Sequence, residues 1–267
     1  MVDPRLIQAV DDLIRPSARP GHLPLIAISG AQGSGKSTLA AEAARALGCA
    51  TLSLDDVYLT RAERMGLAES VHPLFATRGP PGTHDLKLLQ MTLARLRSAR
   101  PGDRTALPSF DKRTDDRASD GPVFVGRPRA ILLEGWCLGA TPQKSEELGE
   151  PINSLERNRD TDGLWRRGVN DRLAGDYAAL FAGFDALLFL RAPGFSPVLD
   201  WRIEQEAGLT GIAIAALPSG RRAELALFVQ AFERVTRHML AGGVRADVVV
   251  ELDEARAVRH IGPCDGA

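Results

Sequence analysis

One short segment near the start of the chain constrains the fold more than any other. The apolar run "LPLIAISG" at 23–30 predicts a buried strand, and "GAQGSGKS" at 30–37 fits the pattern G-x-x-x-x-G-K-[ST]. An Ala-rich helix is expected over 37–47, directly after this glycine-rich loop. Glycines allow backbone angles that turn successive N–H groups inward, and a helix N-terminus adds a partial positive charge. The order strand, glycine loop, helix therefore predicts a cradle for nucleotide phosphates.

The residues of this loop divide by the part of the ligand that each can bind. The Lys36 ammonium can reach the β- and γ-phosphates, and the Ser37 hydroxyl can ligate Mg²⁺. We therefore predict a catalytic role for Lys36 as well as a binding role. The residues expected to bind the nucleotide are Gly30, Gly33, Ser34, Gly35, Lys36, Ser37 and Thr38.

The rest of the chain alternates apolar runs with segments of helical periodicity. Further strands are expected at 50–54, 130–136, 186–190 and 247–252, and further helices within 1–22, over 85–99 and over 220–240. This alternation predicts an α/β fold with a mainly parallel sheet between two helical layers, as in P-loop NTPases. We expect one domain over 1–267, and we interpret the polar, aperiodic segment 141–163 as a mobile surface excursion.

Composition narrows the class of partner. Lys and Arg total 33 against 34 Asp and Glu, so no basic surplus indicates binding to nucleic acid. No apolar run approaches the roughly 20 residues that span a bilayer, which argues against a membrane partner. The three cysteines lack metal-ligand spacing and are interpreted as reduced thiols. We expect the protein to be cytoplasmic and to bind a small molecule. The sequence does not indicate its oligomeric state.

Acidic residues follow two of the expected strands. Asp55 and Asp56 come directly after the run at 50–54, and Glu134 lies near the end of the run at 130–136. In a parallel sheet these strand ends lie beside the phosphate loop. One of the two aspartates can accept a proton from an alcohol, and Glu134 can hold Mg²⁺ or its water shell.

Two classes of nucleotide hydrolase are disfavoured. We find no N-K-x-D segment, which a guanine-specific GTPase would carry, and no apolar run that ends in an Asp-Glu pair, as a helicase-like ATPase would have. A nucleotide-binding regulatory protein without catalysis remains an alternative. Lys36, Ser37, Asp55 and Glu134 together argue for catalysis instead.

Further motifs give the chain a family resemblance that covers about 25–250. In order along the chain they are "SGAQGSGKST", "LSLDDVYLT", "HPLFATRGPPGTHDL", "LPSFDKRTDDR", "ILLEGWCLGA" and "DWRIEQE". Together they resemble the glycerate kinases of the plant and fungal type, within the phosphoribulokinase, uridine kinase and pantothenate kinase group. The resemblance implies an ATP- and Mg²⁺-dependent kinase that converts D-glycerate to 3-phosphoglycerate. Uridine, cytidine, pantothenate or a sugar acid is the alternative acceptor.

The resemblance also implies roles for individual residues. Asp55 would be the general base, and Ser37, Asp55 and Glu134 would hold Mg²⁺. The segment 196–222 would be a lid whose Arg202 stabilises charge on the transferred group, with Arg221 or Arg222 as a further helper. The residues expected to surround the acceptor are Asp56, Arg78, His84, Asp85, Asp111, Lys112 and Arg117.

Simpler interpretations of these residues exist beside the functional ones. Asp85 can cap the helix that follows it, and Arg78 can brace the turn made by "GPPG". The charges of "DKRTDDR" can pair with one another in solvent, and Arg202 can pair with Glu206 one helical turn away.

Overall fold

The computed structural model describes residues 2–264, apart from the side chain of residue 209. The helices are α1 Pro4–Ser17, α2 Lys36–Leu47, α3 Arg61–Ser70, α4 Leu86–Ser98, α5 Ser154–Arg159, α6 Leu164–Arg172, α7 Ala178–Phe181, α8 Ser196–Thr210 and α9 Ser219–Leu240. The strands are β1 Leu25–Gly30, β2 Ala50–Ser53, β3 Arg104–Ala106, β4 Phe110–Asp111, β5 Asp116–Arg117, β6 Val123–Val125, β7 Ile131–Gly135, β8 Ala186–Arg191, β9 Val248–Leu252 and β10 Val258–Pro263.

A six-stranded sheet forms the centre of the molecule, in the order β10-β9-β8-β1-β7-β2. All neighbouring pairs are parallel except β9 and β10, which are antiparallel. Every residue of β1 and of β7 is buried. Strands covered on both faces need apolar side chains in both directions, which is why these segments form nearly continuous apolar runs. The prediction of a mainly parallel three-layer α/β fold is confirmed.

Each face of the sheet supports its own apolar core. Ile26 and Ile28 point to the face covered by α1 and α2, where they join one buried cluster. Leu25 and Ala27 point to the opposite face, where α4, α6 and α9 supply the second cluster. Successive side chains of a strand alternate between faces, so one short strand contributes to both cores. The five expected strands and the four expected helices all form, with ends shifted by one to three residues at most places.

Several elements were not expected from the sequence. The strand β10 and two short hairpins, β3 with β6 and β4 with β5, lie in segments that show no apolar alternation. These strands are two to six residues long and most of their side chains are partly or fully exposed. A strand that buries few apolar side chains shows little alternation of apolar and polar residues in the sequence.

Most side chains of the segment 141–163 are partly or fully exposed, and its mobility stays a prediction. It contains a 3₁₀ turn at Ser145–Leu148 and the helix α5, and its Glu156 and Asp160 are fully buried. Arg234 Nη2 lies 2.7 Å from Glu156 Oε2, and Arg166 Nη1 lies 2.9 Å from Asp160 Oδ2. Two of the charges in this segment are therefore buried in ion pairs with other helices, a state that composition alone cannot distinguish from exposure.

The segment 196–222 consists of α8, a 3₁₀ turn at Ile214–Ala216 and the first residues of α9. Side chains from α8 and α9 share a small apolar cluster of their own, which includes Ile203 and Leu225. Among the described residues, no helix combines the length and the apolar character needed to cross a membrane.

Candidate active site

A cavity of about 260 Å³ lies at the carboxyl ends of β1, β2 and β7, which is where parallel sheets of this type bind ligands. Its wall joins seven parts of the chain that are separated in sequence. The lining residues are Gln32, Gly33, Lys36, Ser37, Ser53, Asp55, Asp56, Tyr58, Arg78, Lys112, Glu134, Trp136, Arg202, Gln205, Phe228 and Phe232.

The phosphate loop has the backbone that its glycines allow. Gly33 and Gly35 have φ values of +77° and +91°, in the left-handed region that other residues avoid. A Cβ on Gly33 would lie 2.5 Å from Trp201 Cβ, so this position also lets α8 approach the loop closely. Gly35 precedes the first turn of α2, which leaves the N-terminus of that helix directed at the loop.

Ser37 and Glu134 form the part of the site that suits a divalent cation. The Ser37 hydroxyl donates to Glu134 Oε1 at 3.0 Å, because β7 lies beside β1 and ends next to the loop. Glu134 is buried, and its Oε2 has no hydrogen-bond partner among the described residues. A buried carboxylate oxygen without a donor, beside a hydroxyl, is a donor set of the hard oxygen type that Mg²⁺ prefers. These residues therefore fit the ion that the sequence implied.

Asp55 is held by two donors in the turn that follows β2. Tyr58 donates its hydroxyl to Asp55 Oδ1 at 2.6 Å, and Lys112 Nζ lies 2.8 Å from Oδ2. Burial by itself raises the pKa of Asp55, but the positive charges of Lys112 and Lys36 and these two hydrogen bonds hold it well below its usual range. Asp55 is therefore an ionised carboxylate at neutral pH.

The adjacent Asp56 has a different environment. Burial, together with the negative charges of Asp55 and Glu134, raises the pKa of Asp56 to about 6. Its main compensation is a long contact of 3.4 Å from the backbone N–H of Phe110 to Oδ1. Two neighbouring carboxyls thus differ in proton affinity, which is the arrangement that allows separate roles for them.

Besides Lys36, three cationic side chains border the cavity. Arg78 pairs with Asp115 and lies over the Phe110 ring, 5.8 Å from its centroid. Arg202 Nη2 lies 3.1 Å from Glu206 Oε2, while its Nη1 is buried without a partner among the described residues. Lys112 is about half exposed. The unpartnered Nη1 can donate to an anion that enters the cavity.

Four of the residues expected around the acceptor do not line the cavity. Asp85 Oδ1 accepts from the N–H of Leu88 and caps α4, while its Oδ2 lies 2.7 Å from Arg117 Nη2. His84 is buried, and Asp111 accepts from the backbone N–H of Arg113. A direct contact of these side chains with substrate stays a prediction.

The two helper arginines also lie outside the cavity wall. Arg221 pairs with Glu206 at 2.6 Å, so it shares a carboxylate with Arg202. Arg222 donates to the backbone carbonyl of Ile214. Arg221 is thus linked to the site through Glu206, whereas Arg222 braces the turn between α8 and α9.

Sequence reasoning missed several residues of the wall. Phe228 and Phe232 are part of the apolar stripe of α9, a pattern typical of core residues, and Phe232 also lies in the core. Gln32 lies inside the phosphate loop, and both polar atoms of its amide are buried without a partner among the described residues. Trp136, two residues after Glu134, donates its Nε1–H to the Gly79 carbonyl at 3.0 Å. The only signal for Gln32 and Trp136 in the sequence is their position beside residues with assigned roles.

Comparison with known proteins gives relatives at the level of sequence and of fold. No family model matches the chain. The chain is 32% identical over 220 residues to the "uncharacterized kinase mug58" of Schizosaccharomyces pombe, which covers 77% of this chain and 76% of the relative. It is 35% identical over 214 residues to the "probable ATP-dependent kinase TDA10" of Saccharomyces cerevisiae, which covers 68% of this chain and 66% of the relative.

Among solved structures, the chain resembles a D-glycerate 3-kinase from Cryptococcus neoformans var. grubii. The TM-score is 0.76, and the superposition covers 97% of this chain and 99% of that one. At 22% sequence identity this similarity establishes a shared fold over the full length of both chains.

Proposed function

This chain belongs to the glycerate kinase-like family of P-loop kinases, as its motifs predicted, and from that premise we propose that it phosphorylates D-glycerate to 3-phosphoglycerate. It is an ATP-using kinase. The identity of the acceptor and the roles of the site residues are the content of the proposal.

One observation supports the acceptor class. The cavity beside the phosphate loop brings the ionised Asp55 together with the cations Arg78, Lys112 and Arg202. A hydroxy acid needs cations for its carboxylate and a hydrogen-bond acceptor for the hydroxyl that reacts. A cavity of about 260 Å³ limits the acceptor to a small molecule. The segment "RGPPGTHDL", which resembles a glycerate kinase motif, begins beside this cavity with Arg78.

Phosphoryl transfer depends on alignment and charge neutralisation more than on strong bases. The phosphates of ATP would lie along the loop from Gly30 to Ser37, with Lys36 at the terminal groups. The acceptor hydroxyl would lie between Asp55 and the γ-phosphorus and lose its proton late. An ionised Asp55 suits this role, because it accepts the hydroxyl hydrogen bond from the start and fixes the direction of attack.

The cations would act at two different places. Lys112 pairs with Asp55 at 2.8 Å, close enough to move to the acceptor carboxylate when the acceptor binds. Arg202 would direct its unpartnered Nη1 at the oxygens of the transferred group, where negative charge must be stabilised. Ser37, Glu134 and Asp55 would hold Mg²⁺, which neutralises phosphate charge when bound.

The segment 196–222 would act as the lid. Trp201 packs against Gly33, and its Nε1–H donates to the Glu254 carbonyl at 2.7 Å, so α8 is attached to the loop and to the β9–β10 turn. Closure of this segment over the cavity would exclude water and suppress ATP hydrolysis.

The experiment is an ATP-to-ADP assay with Mg²⁺ and a panel of D-glycerate, L-glycerate, uridine, cytidine and pantothenate. The variants Lys36→Ala and Asp55→Asn remove the two central groups. Matched controls are Lys144→Ala and Asp12→Asn, which change the same residue types at exposed positions away from the cavity.

We expect turnover with D-glycerate, formation of 3-phosphoglycerate, and loss of turnover in both site variants but in neither control. Turnover with another acceptor would retain the kinase mechanism and reject glycerate. ATP binding without turnover on any acceptor would favour a regulatory nucleotide-binding protein.

A further inference from the structure

We propose that Tyr58 is a positioning residue for the Asp55 carboxylate, and that His84 and Tyr177 hold Tyr58 in place. We call Tyr58, His84 and Tyr177 the aromatic clamp. The inference rests on the proposed function, because it assigns a role within the same phosphoryl transfer. It also gives the segment "GTHDL" a task other than contact with the acceptor.

The first step is the bond between Tyr58 and Asp55. Tyr58 donates to Asp55 Oδ1 at 2.6 Å while Lys112 donates to Oδ2 at 2.8 Å, so each carboxylate oxygen has its own donor. Lys112 is half exposed on a short hairpin, whereas Tyr58 is only 3% exposed. Tyr58 is therefore the rigid member of the pair, and it keeps Oδ1 in place when Lys112 moves to an acceptor. A carboxylate has no hydrogen to donate, so the Tyr58 hydroxyl is the donor of this pair.

The second step is the support of the Tyr58 ring. His84 stacks on it with ring centroids 4.8 Å apart and an interplanar angle of 27°. Phe110 meets it edge to face at 5.1 Å. Backbone pairing holds the two stacked residues side by side, because the Leu59 N–H donates to the Thr83 carbonyl at 2.9 Å. The Tyr58 ring is therefore held by a stacked neighbour and by an edge-to-face neighbour.

The third step is the orientation of the His84 ring. The Tyr177 hydroxyl accepts from the backbone N–H of Gly82 at 3.0 Å and lies 2.5 Å from His84 Nδ1, so this hydroxyl fixes the His84 ring to the backbone of the same turn. Burial lowers the pKa of His84 to about 4, which keeps the imidazole neutral. Tyr177 is the last residue of a π-helical turn at Leu173–Tyr177, a local widening that is common at functional sites.

The clamp uses all the tyrosine that the chain contains. The sequence has two tyrosines, and both lie against His84, one on its face and one at its Nδ1. Asp85 and Arg117 complete the support from outside, since Arg117 Nε donates to the Tyr58 carbonyl at 3.1 Å and Arg117 pairs with Asp85. His84, Asp85 and Arg117 thus act on Asp55 through Tyr58.

The kinetic test compares Tyr58→Phe and Tyr177→Phe with wild type on whichever acceptor supports turnover. Tyr58→Phe keeps the stacked ring and removes only the donor to Asp55, so we expect kcat to fall by about 10- to 100-fold, the usual effect of losing a hydrogen bond to a charged group. The KM for ATP should stay within about twofold, because the phosphate loop is untouched. Tyr177→Phe should lower kcat by a smaller factor, although its hydroxyl does not line the cavity.

Phe181→Leu is the matched control. Phe181 packs against the Tyr177 ring, with centroids 6.0 Å apart, and has no hydrogen bond to offer. A purely structural role for the region would lower the melting temperature and the fraction of ATP-binding sites in all three variants and leave kcat per site unchanged. Unchanged kcat per site in Tyr58→Phe overturns the proposal whichever acceptor is used.

A second measurement separates the clamp from the identity of the substrate. Protein labelled with 3-fluorotyrosine contains two fluorine sites, and loss of one signal in Tyr177→Phe assigns both. Asp55→Asn should move the Tyr58 signal and leave the Tyr177 signal nearly unchanged. If no acceptor supports turnover, the proposed function fails and this measurement alone decides the clamp. If the Tyr58 signal does not move in Asp55→Asn, the proposed role of the clamp is overturned.

Discussion

Acid should destabilise this protein through one buried side chain, His84. Its imidazole is 6% exposed, stacked on Tyr58 and bonded to Tyr177, and burial lowers its pKa to about 4 from an ordinary 6.5. The folded state therefore binds a proton at this site less readily than the unfolded state does. The neutral imidazole contributes stability above pH 6.5, and that contribution is lost as the pH falls towards 4.

The magnitude follows from the two pKa values. They differ by about 2.5, and each pKa unit corresponds to about 1.36 kcal/mol, so the full loss is about 3 kcal/mol in the free energy of unfolding. Most of it, about 2–3 kcal/mol, should disappear between pH 7.5 and pH 4.5. Asp56 acts in the opposite direction, because its pKa is raised to about 6 and its protonation favours the folded state as the pH falls. A comparison of wild type with a His84 variant cancels that term.

The assay is urea unfolding of wild type and His84→Gln at pH 7.5, 6.5, 5.5 and 4.5. Glutamine stays neutral throughout, so the stability advantage of wild type over the variant should shrink by about 2–3 kcal/mol across the series. His260→Gln, at an exposed position, is the matched control because it removes no buried imidazole. A wild-type advantage that stays constant with pH would refute the reasoning, since it would mean that His84 titrates alike in both states.

Three further substitutions test other parts of the structure. Gly33→Ala should destabilise the fold by ~2 kcal/mol or more and weaken ATP binding, since its φ is +77° and its Cβ would lie 2.5 Å from a carbon of α8. Gly21→Ala shares the backbone angle without a neighbour within 4 Å, so equal melting-temperature losses in the two variants would contradict this explanation. Arg234→Met should cost ~3–5 kcal/mol in urea unfolding by leaving the buried Glu156 charge unpaired, and a loss below ~1 kcal/mol would argue against it. Arg202→Met should lower kcat by ~10³-fold in the kinase assay while ATP affinity changes little, and a comparable loss of ATP affinity would reassign it to binding.

Local sequence was enough for the phosphate loop and the sheet. The loop needs a strand before it, a helix after it and glycines at set spacings, and all of these are properties of adjacent residues. The buried strands were visible because covering both faces of a sheet requires continuous apolar runs. The order of acids after strands placed Asp55, Asp56 and Glu134 at one edge of the sheet, and the cavity contains all three.

Local sequence did not predict the buried ion pairs of the segment 141–163 or the arrangement of the acceptor side of the site. Glu156 and Asp160 look like surface residues in the sequence because their partners Arg234 and Arg166 come from other helices. His84 has the chemistry of a substrate ligand, and only the position of Tyr177 reveals that its Nδ1 is already used.

What the sequence determined by itself is the nucleotide end of the protein: the fold class, the phosphate loop and the acids beside it. These depend on periodicity and on contacts between residues that are close along the chain. Only the tertiary structure decided which polar side chains face the cavity and which support it through hydrogen bonds within the protein. A side-chain atom that is hydrogen-bonded within the protein, as in the pairs Tyr58–Asp55 and Tyr177–His84, is less available to bind a ligand. That choice depends on directions in space, which spacing along a chain does not encode.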